Sequence, residues 1–351
     1  MHNNLFFVTM VFVALFFASC QKEIEFELDQ TPEKLVVNGL IAADSLIEVK
    51  IGKSLAFATN DDTFNYIDDA VATLYIDDIE VEILPVIIIE DRYGRTEIVY
   101  RSQKTIAKAG KTYSLTVTHP DCETVKCKTT LPLPIENAQI STSVVIYNNF
   151  RESYPNLYFH VKFNKANENE NFYRIYFKRM KGTRYFNSSL NEGVAGVVGV
   201  EYGTCFYARS DDPILNPNEK NVNNILFVPT QNRFRIFTDE LIESNSVEFN
   251  FYDSYLNNDT TGHVINSNYG DFYNYSIYLS ALSPEAYYYL NSSNAQINNN
   301  HDLFAEPVQV YSNIENGLGI FAGYTTSLIT ISDGEYPIDG MNYEYWEMDI
   351  Y

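Results

Sequence analysis

Ala18-Ser19-Cys20 closes a 13-residue apolar run, Leu5 to Phe17, that carries one Thr and no charge. An apolar core followed at once by small residues is a signal peptide and its cleavage site. A cysteine at that point has a specific chemistry open to it. Its thiol takes a diacylglycerol, and the amino group freed by cleavage takes a further acyl chain. Several chains at about 0.8 kcal/mol per buried CH₂ make a durable anchor on membrane lipid. Phe17 stands where Leu is usual, and Met1 to Asn4 carry no Lys or Arg. The run is shorter than the ~20 residues a helix needs to cross a bilayer, and no later segment approaches that length. The mature chain is therefore expected to be lipid-anchored at Cys20 with no transmembrane helix.

Other reactive types are scattered. Cys122, Cys127 and Cys205 are an odd number of thiols for an oxidising compartment. If Asp121 to Leu131 is one strand, Cys122 and Cys127 lie ~16 Å apart on opposite faces. A disulfide bridges only ~4.4 to 6.8 Å between Cα atoms, so pairing would need a turn at Glu123 to Lys126. Among His119, His160, His263 and His301 no pair has the i, i+4 spacing of a helical zinc site. His160 reads as an ordinary strand residue. Gly52-Lys53-Ser54 ends like a phosphate loop, but Ile47 stands where the first glycine belongs, and the segment reads as a turn. No Gly-x-Ser-x-Gly elbow occurs, and the spacing that would define a glycosidase's paired carboxylates is spatial.

Two weaker constellations remain. Asp333, Glu335 and Asp339 lie close together in a glycine-containing tail and form a candidate calcium site. No cofactor is expected beyond the calcium that these carboxylates could take. Asn257 to Gly262 partly resembles a calcium loop, yet its twelfth position is Asn268 where a bidentate Glu is required, so it reads as a polar loop. Tyr343, Tyr345 and Trp346 sit among acids near the terminus and are candidate ligand contacts, since an aromatic face packs on the apolar face of a sugar.

Charge restricts the partners. The chain has 24 Lys and Arg against 46 Asp and Glu, a net of −22. Arg235 is the last basic residue; beyond it stand 17 acidic ones, which leaves 29 acids against the 24 bases before it. Phosphate binding depends on Lys and Arg, so nucleic acid is excluded as a partner. The acidic half reads as a solubilising surface or one that faces a basic partner or divalent cations.

Period-two alternation recurs along the chain: Ile47, Val49, Ile51; Tyr113, Leu115, Val117; Leu157, Phe159, Val161, Phe163, with Tyr158, His160 and Lys162 opposite; Val247, Phe249, Phe251; and Tyr273, Tyr275, Ile277, Leu279. These predict half-buried antiparallel strands. The 28 Tyr and 23 Phe favour strand as well. Short helices are expected at Asp239 to Glu243, capped by Thr238, and from Pro284 through Leu290, capped by Ser283. Leu131-Pro132-Leu133-Pro134 cannot continue a sheet and divides the strands. The expected organisation is a signal peptide at 1–19, a lipidated tether at 20–32, an N-terminal sandwich of about seven strands at 33–131, a linker at 132–137, and a larger C-terminal β domain at 138–351. The fold class is all-β: an immunoglobulin-like or transthyretin-like sandwich, then a sandwich or partly closed barrel with a few short helices. Val308 to Ser312 and Leu318 to Ala322 are expected to form a hairpin turning at Asn316-Gly317, with Gly319 admitting a close backbone.

Five stretches carry a family likeness: Leu35-Val36-Val37-Asn38-Gly39; Ile67 to Val71; Gly110 to Tyr113; Phe237 to Leu241; and Phe304 to Val308 with Tyr311 to Phe321. Their order resembles domain-of-unknown-function family 4249, a group of uncharacterised Bacteroidota outer-membrane lipoproteins, over nearly the whole mature chain. The run Gln21, Lys22, Glu23, Ile24, Glu25 is similar to the lysine-plus-acidic tag that exports such lipoproteins to the cell exterior. The resemblance implies a non-enzymatic accessory or ligand-capture partner of a TonB-dependent transporter, and it carries over no catalytic residue. An independent glycan-binding or adhesion lipoprotein is the alternative, and a secreted hydrolase the third.

Overall fold

The structure is a computed structural model that describes residues 32–55, 64–90, 96–148, 153–166, 170–186, 194–206, 209–216, 232–240, 242–253, 269–299 and 308–332. Cys20, Gln21, Lys22, Glu23 and Glu25, the tail with Asp333, Glu335, Asp339, Tyr343, Tyr345 and Trp346, the loop 257–262, and His263 and His301 lie outside the described residues. No helix among the described residues is long and apolar enough to cross a membrane.

Among the described residues eight strands precede the proline-rich segment, where the turn rhythm predicts about seven: β1 (Leu35–Ala42), β2 (Leu46–Lys53), β3 (Val71–Ile76), β4 (Ile79–Ile83), β5 (Val86–Glu90), β6 (Thr96–Ile106), β7 (Thr112–His119) and β8 (Cys122–Thr130). β4, β3, β7 and β8 form one sheet, while β1, β2, β6 and β5 belong to another. The two pack face to face because each strand alternates apolar and polar residues. Val37, Ile47, Val49 and Ile51 from one sheet meet Leu74, Tyr113, Leu115, Val117 and Val125 from the other in a single core. Asp77 and Asp78 both have positive φ, 50° and 64°, and connect β3 to β4 in two residues. That is the twist a tight hairpin needs. Lys111 Nζ, 2.6 Å from Asp77 Oδ2, holds that carboxyl below its usual range. Tyr100 is fully buried with its hydroxyl satisfied: it donates to Ile67 O at 3.0 Å and accepts from Ala70 N at 3.2 Å.

The second half supplies β9 (Gln139–Asn148), β10 (Ser153–Asn164), β11 (Phe172–Phe186), β12 (Val194–Phe206), β13 (Ile236–Thr238), β14 (Ser246–Asp253), β15 (Tyr269–Leu282), α1 (Pro284–Asn299) and β16 (Leu318–Ser332). β14, β10 and β9 make a three-stranded sheet. Its inner face, Phe159, Val161, Phe163, Val247, Phe249 and Phe251, packs on Ile175, Phe177, Tyr275 and Ile277 of β11 and β15. Phe159 and Phe251 stack with centroids 4.7 Å apart. The larger half is thus a sandwich, with no closed barrel among the described residues.

β16 ties the molecule together, and its pairing corrects the hairpin expectation. Val308 to Ser312 carries no strand; the partners of β16 are distant in sequence. Its first residues pair in parallel with β1, Val36 opposite Leu318 through Ala42 opposite Tyr324. Its later ones pair antiparallel with β15, Leu282 opposite Tyr324 through Asn274 opposite Ser332. One sheet therefore runs in the order β12-β11-β15-β16-β1-β2-β6-β5 through both halves of the chain. Gly319 is where β16 meets β1: its φ is +104°, and a Cβ there would lie 2.2 Å from Val37 O. Asn316 adopts the left-handed φ of 62° that its turn requires. The segment after β8 is laced to β16 by Thr325 Oγ1 donating to Pro132 O at 2.7 Å and Ser327 Oγ donating to Ile135 O at 2.9 Å.

The helix expectations divide. Ser283 does cap α1, its Oγ accepting from Ala286 N at 3.3 Å, and the helix runs on to Asn299 because Ala286 and Leu290 bury against the sheet. Thr238 does not open a helix. It ends β13, and Ile242 N donates back to Asp239 O at 3.0 Å in a turn. Asp239 is consumed instead as a buried acceptor for Asn171 N at 2.9 Å, Asn171 Nδ2 at 2.8 Å and Tyr173 Oη at 3.2 Å. Burial, then the adjacent carboxylate, pushes the Tyr173 hydroxyl up.

Candidate functional site: the outer face of the three-stranded sheet

In β9, β10 and β14 one side-chain set goes to the core, so the alternate set must face outward. The register aligns that outward set into rows. Gln139, Lys162 and Glu248 form the first, Ser141, His160 and Asn250 the second, and Ser143, Tyr158 and Tyr252 the third. The outward position is visible in the exposure of Ser141, Ser143, Lys162, Glu248 and Asn250 and in the partial exposure of His160, Tyr158 and Tyr252.

The centre of this face is His160, whose two ring nitrogens are both engaged across the strands. Nδ1 lies 2.6 Å from Asn250 Oδ1 and Nε2 lies 2.7 Å from Ser143 Oγ. An amide oxygen only accepts, so Nδ1 carries the proton and Nε2 is left as an acceptor for the Ser143 hydroxyl. The imidazole is thereby locked in plane and tautomer, joining three strands. Ser143 keeps lone pairs as acceptors and Asn250 keeps amide hydrogens as donors.

To one side Lys162 and Glu248 are paired through Nζ and Oε1; the hydrogen bond from Lys162 keeps the Glu248 carboxyl below its usual range. To the other, Tyr158 and Tyr252 stack with centroids 5.2 Å apart and planes at 28°. A depression of about 530 Å³ lies along the first two rows, lined by Gln139, Ser141, His160, Lys162, Glu248 and Asn250 among others. The edge of β14 is buttressed by the segment at 209–216: Tyr252 N donates to Arg209 O at 2.7 Å, and Asn250 N donates to Asp212 Oδ2 at 3.2 Å. Behind the sheet, Arg179 Nη1 and the buried Asp253 Oδ2 form a partly buried ion pair at 2.8 Å, and Tyr275 Oη donates to the same oxygen at 3.2 Å.

The structure makes little of the other reactive types. His119 is buried between Asp69 Oδ1, 3.2 Å from Nε2, and Asp121 N, 3.1 Å from Nδ1, a satisfied histidine at the end of β7. Among the described residues no three His, Cys, Asp or Glu converge as metal ligands. Cys122 and Cys127 are free and share the continuous strand β8. Burial pushes the Cys127 thiol up to about 12 and raises Cys122 as well, the reverse of nucleophile activation. Cys205 lies on β12 opposite Lys178. Gly52-Lys53 is the end of β2, where a turn is expected. Gly52 is small because Asn65 O passes where its Cβ would be, at 2.4 Å.

The alternation of Tyr158, His160 and Lys162 with core residues is legible in sequence; Ser143 and Asn250 as partners of His160 are not. Those contacts span 17 and 90 residues, and nothing local announces the register that creates them.

An all-β protein with two sandwich cores, a further apolar cluster beneath α1, one shared sheet and an outward polar and aromatic sheet face belongs to the class of β-sandwich modules. Within that class the chain belongs to the family described as Domain of unknown function (DUF4249), whose pattern matches residues 21–329. No curated protein matches it.

Proposed function

We propose that this protein is a lipoprotein of the outer membrane, anchored through acylated Cys20 and facing the cell exterior. There it serves as a non-enzymatic, ligand-capturing accessory of a TonB-dependent transporter. The leader and Cys20, the charged run Gln21 to Glu25, and membership of the family support the anchored, exported part of this reading.

The observation that carries the ligand-facing part is the path of β16. It starts beside the first residues of β1 and continues past the end of β1 into the second sandwich. Its 15 residues span about 50 Å at ~3.3 Å per residue. On this reading the N-terminal sandwich is a spacer that carries the outer face of β9, β10 and β14 away from the anchor. Solvent-facing groups already preorganised by His160 suit reversible capture, since less ordering is needed on binding.

Detergent-solubilised outer membranes containing an affinity-tagged chain provide the test. A TonB-dependent transporter should co-purify with it, and Cys20→Ala should move the protein from the membrane to the aqueous fraction. Recovery of the tagged chain with no transporter would sink the partnership; retention of Cys20→Ala in the membrane would sink the anchor.

A further inference from the structure

We infer that the outer face of β9, β10 and β14 binds an uncharged oligosaccharide, a ligand class that deepens the capture reading above and rests on it. The first ground is charge. In a chain of net −22, the three rows of this face carry one cation and one anion, and these are Lys162 and Glu248, paired with each other. The rows hold no unbalanced charge to select an anionic or cationic ligand.

The second ground is the kind of hydrogen-bonding group. Ser143 offers acceptor lone pairs and Asn250 offers amide donors on either side of an imidazole that both of them already hold in place. Adjacent strands lie about 4.8 Å apart, and same-face residues along a strand lie about 6.7 Å apart. The face is thus a fixed grid of mixed donors and acceptors, which suits a chain of hydroxyls that can each donate and accept. A protein partner is disfavoured, because interface centres are built from dry, apolar anchors with little charge. This centre is a solvated His-Ser-Asn network with no aliphatic side chain in its three rows.

The third ground is shape. The Tyr158–Tyr252 stack supplies aromatic carbon beside the polar rows, the combination that takes the C–H face of a sugar ring while hydroxyls bond alongside. The depression of about 530 Å³ next to it falls within the usual 300–1,000 Å³ range of small-ligand sites.

The test uses the full mature chain, detergent-solubilised, titrated calorimetrically with neutral maltoheptaose, cellohexaose, xylohexaose, laminarihexaose and mannohexaose, and with polygalacturonate and heparin as anionic probes. At least one neutral oligosaccharide should bind, and Asn250→Ala and Tyr252→Ala should each weaken it about tenfold or more. Ser141→Trp, which fills the depression at an exposed position, should abolish it, with thermal midpoints marking any variant that fails to fold. Lys128→Ala, on the N-terminal sandwich, should leave it unchanged. Binding of the anionic probes alone, neutral binding untouched by all three face substitutions, or no binding of any probe overturns the assignment. The transporter reading stands or falls separately, on co-purification.

Discussion

Single residues in this protein are read by what surrounds them, and Cys127 shows how far that departs from residue type. A cysteine thiol is an oxidisable side chain, yet Cys127 is 6 % exposed in the core of the first sandwich. Its folded pKa rises from an ordinary 9.0 to about 12, because burial disfavours the thiolate. A group with a raised folded pKa contributes stability that is complete below its unfolded value and lost as pH rises through the folded one. Stability should therefore decline as pH rises from about 9 toward about 12, and Cys127→Ala should flatten that decline. Chemical denaturation at a series of pH values reads this directly. Iodoacetamide at pH 8 should leave Cys127 unmodified in the native protein and alkylate it in denaturant, as peptide mass mapping would show; native labelling of Cys127 would contradict its burial.

At the scale of elements, the strands follow from alternation, whereas their order depends on a few positions where backbones meet. Gly319 is one. Alanine there would carry its methyl into Val37 O while holding a positive φ, and Gly319→Ala should cost about 2–3 kcal/mol by urea denaturation. A wild-type midpoint would mean that the parallel β1–β16 pairing is wrong. The Ser283 cap is another. Its Oγ accepts from Ala286 N and also from Gly323 N at 3.2 Å, so it joins α1 to β16 as well as starting the helix. Ser283→Ala should lose about 1–2 kcal/mol, the upper part of the range for a cap, whereas Ser283→Asp should retain the helical part of that. The hairpin read into Val308 to Ala322 failed for a related reason. Alternation and an Asn-Gly turn specify a strand and a bend, but the hydrogen bonds of Leu318 to Ser332 go to β1, 282 residues upstream, and to β15, 42 to 58 residues upstream.

For the whole molecule, the sharing of β16 makes the halves interdependent. Phe321 and Ile314 belong to the core of the first sandwich although they come from the far end of the chain. A fragment ending at residue 137 would leave β1 with an open edge and remove a fully buried phenylalanine. Losing Phe321 alone should cost about 3–5 kcal/mol, a large part of a domain's usual 5–15 kcal/mol margin. The fragment should show no cooperative thermal transition, and adding a chain segment that covers residues 308–332 should restore one. A fragment that melts cooperatively by itself would show the first sandwich to be autonomous.

How much was legible beforehand varies with range. The all-β class, the burial of Ile47, Val49, Ile51, Tyr113, Leu115 and Val117, and the Ser283 cap follow from period, propensity and capping within a few residues. Those are local properties of a chain. The proposed leader at 1–19, with Cys20 directly after it, is likewise read from sequence alone. Other features required the assembled molecule: β16 lying between β1 and β15, Asp239 buried where a helix was expected, and His160 bound between Ser143 and Asn250. Each depends on which strand lies beside which. That choice is made by the summed burial of the apolar clusters and by satisfying every backbone group along a shared sheet, and neither quantity belongs to any short stretch of the chain.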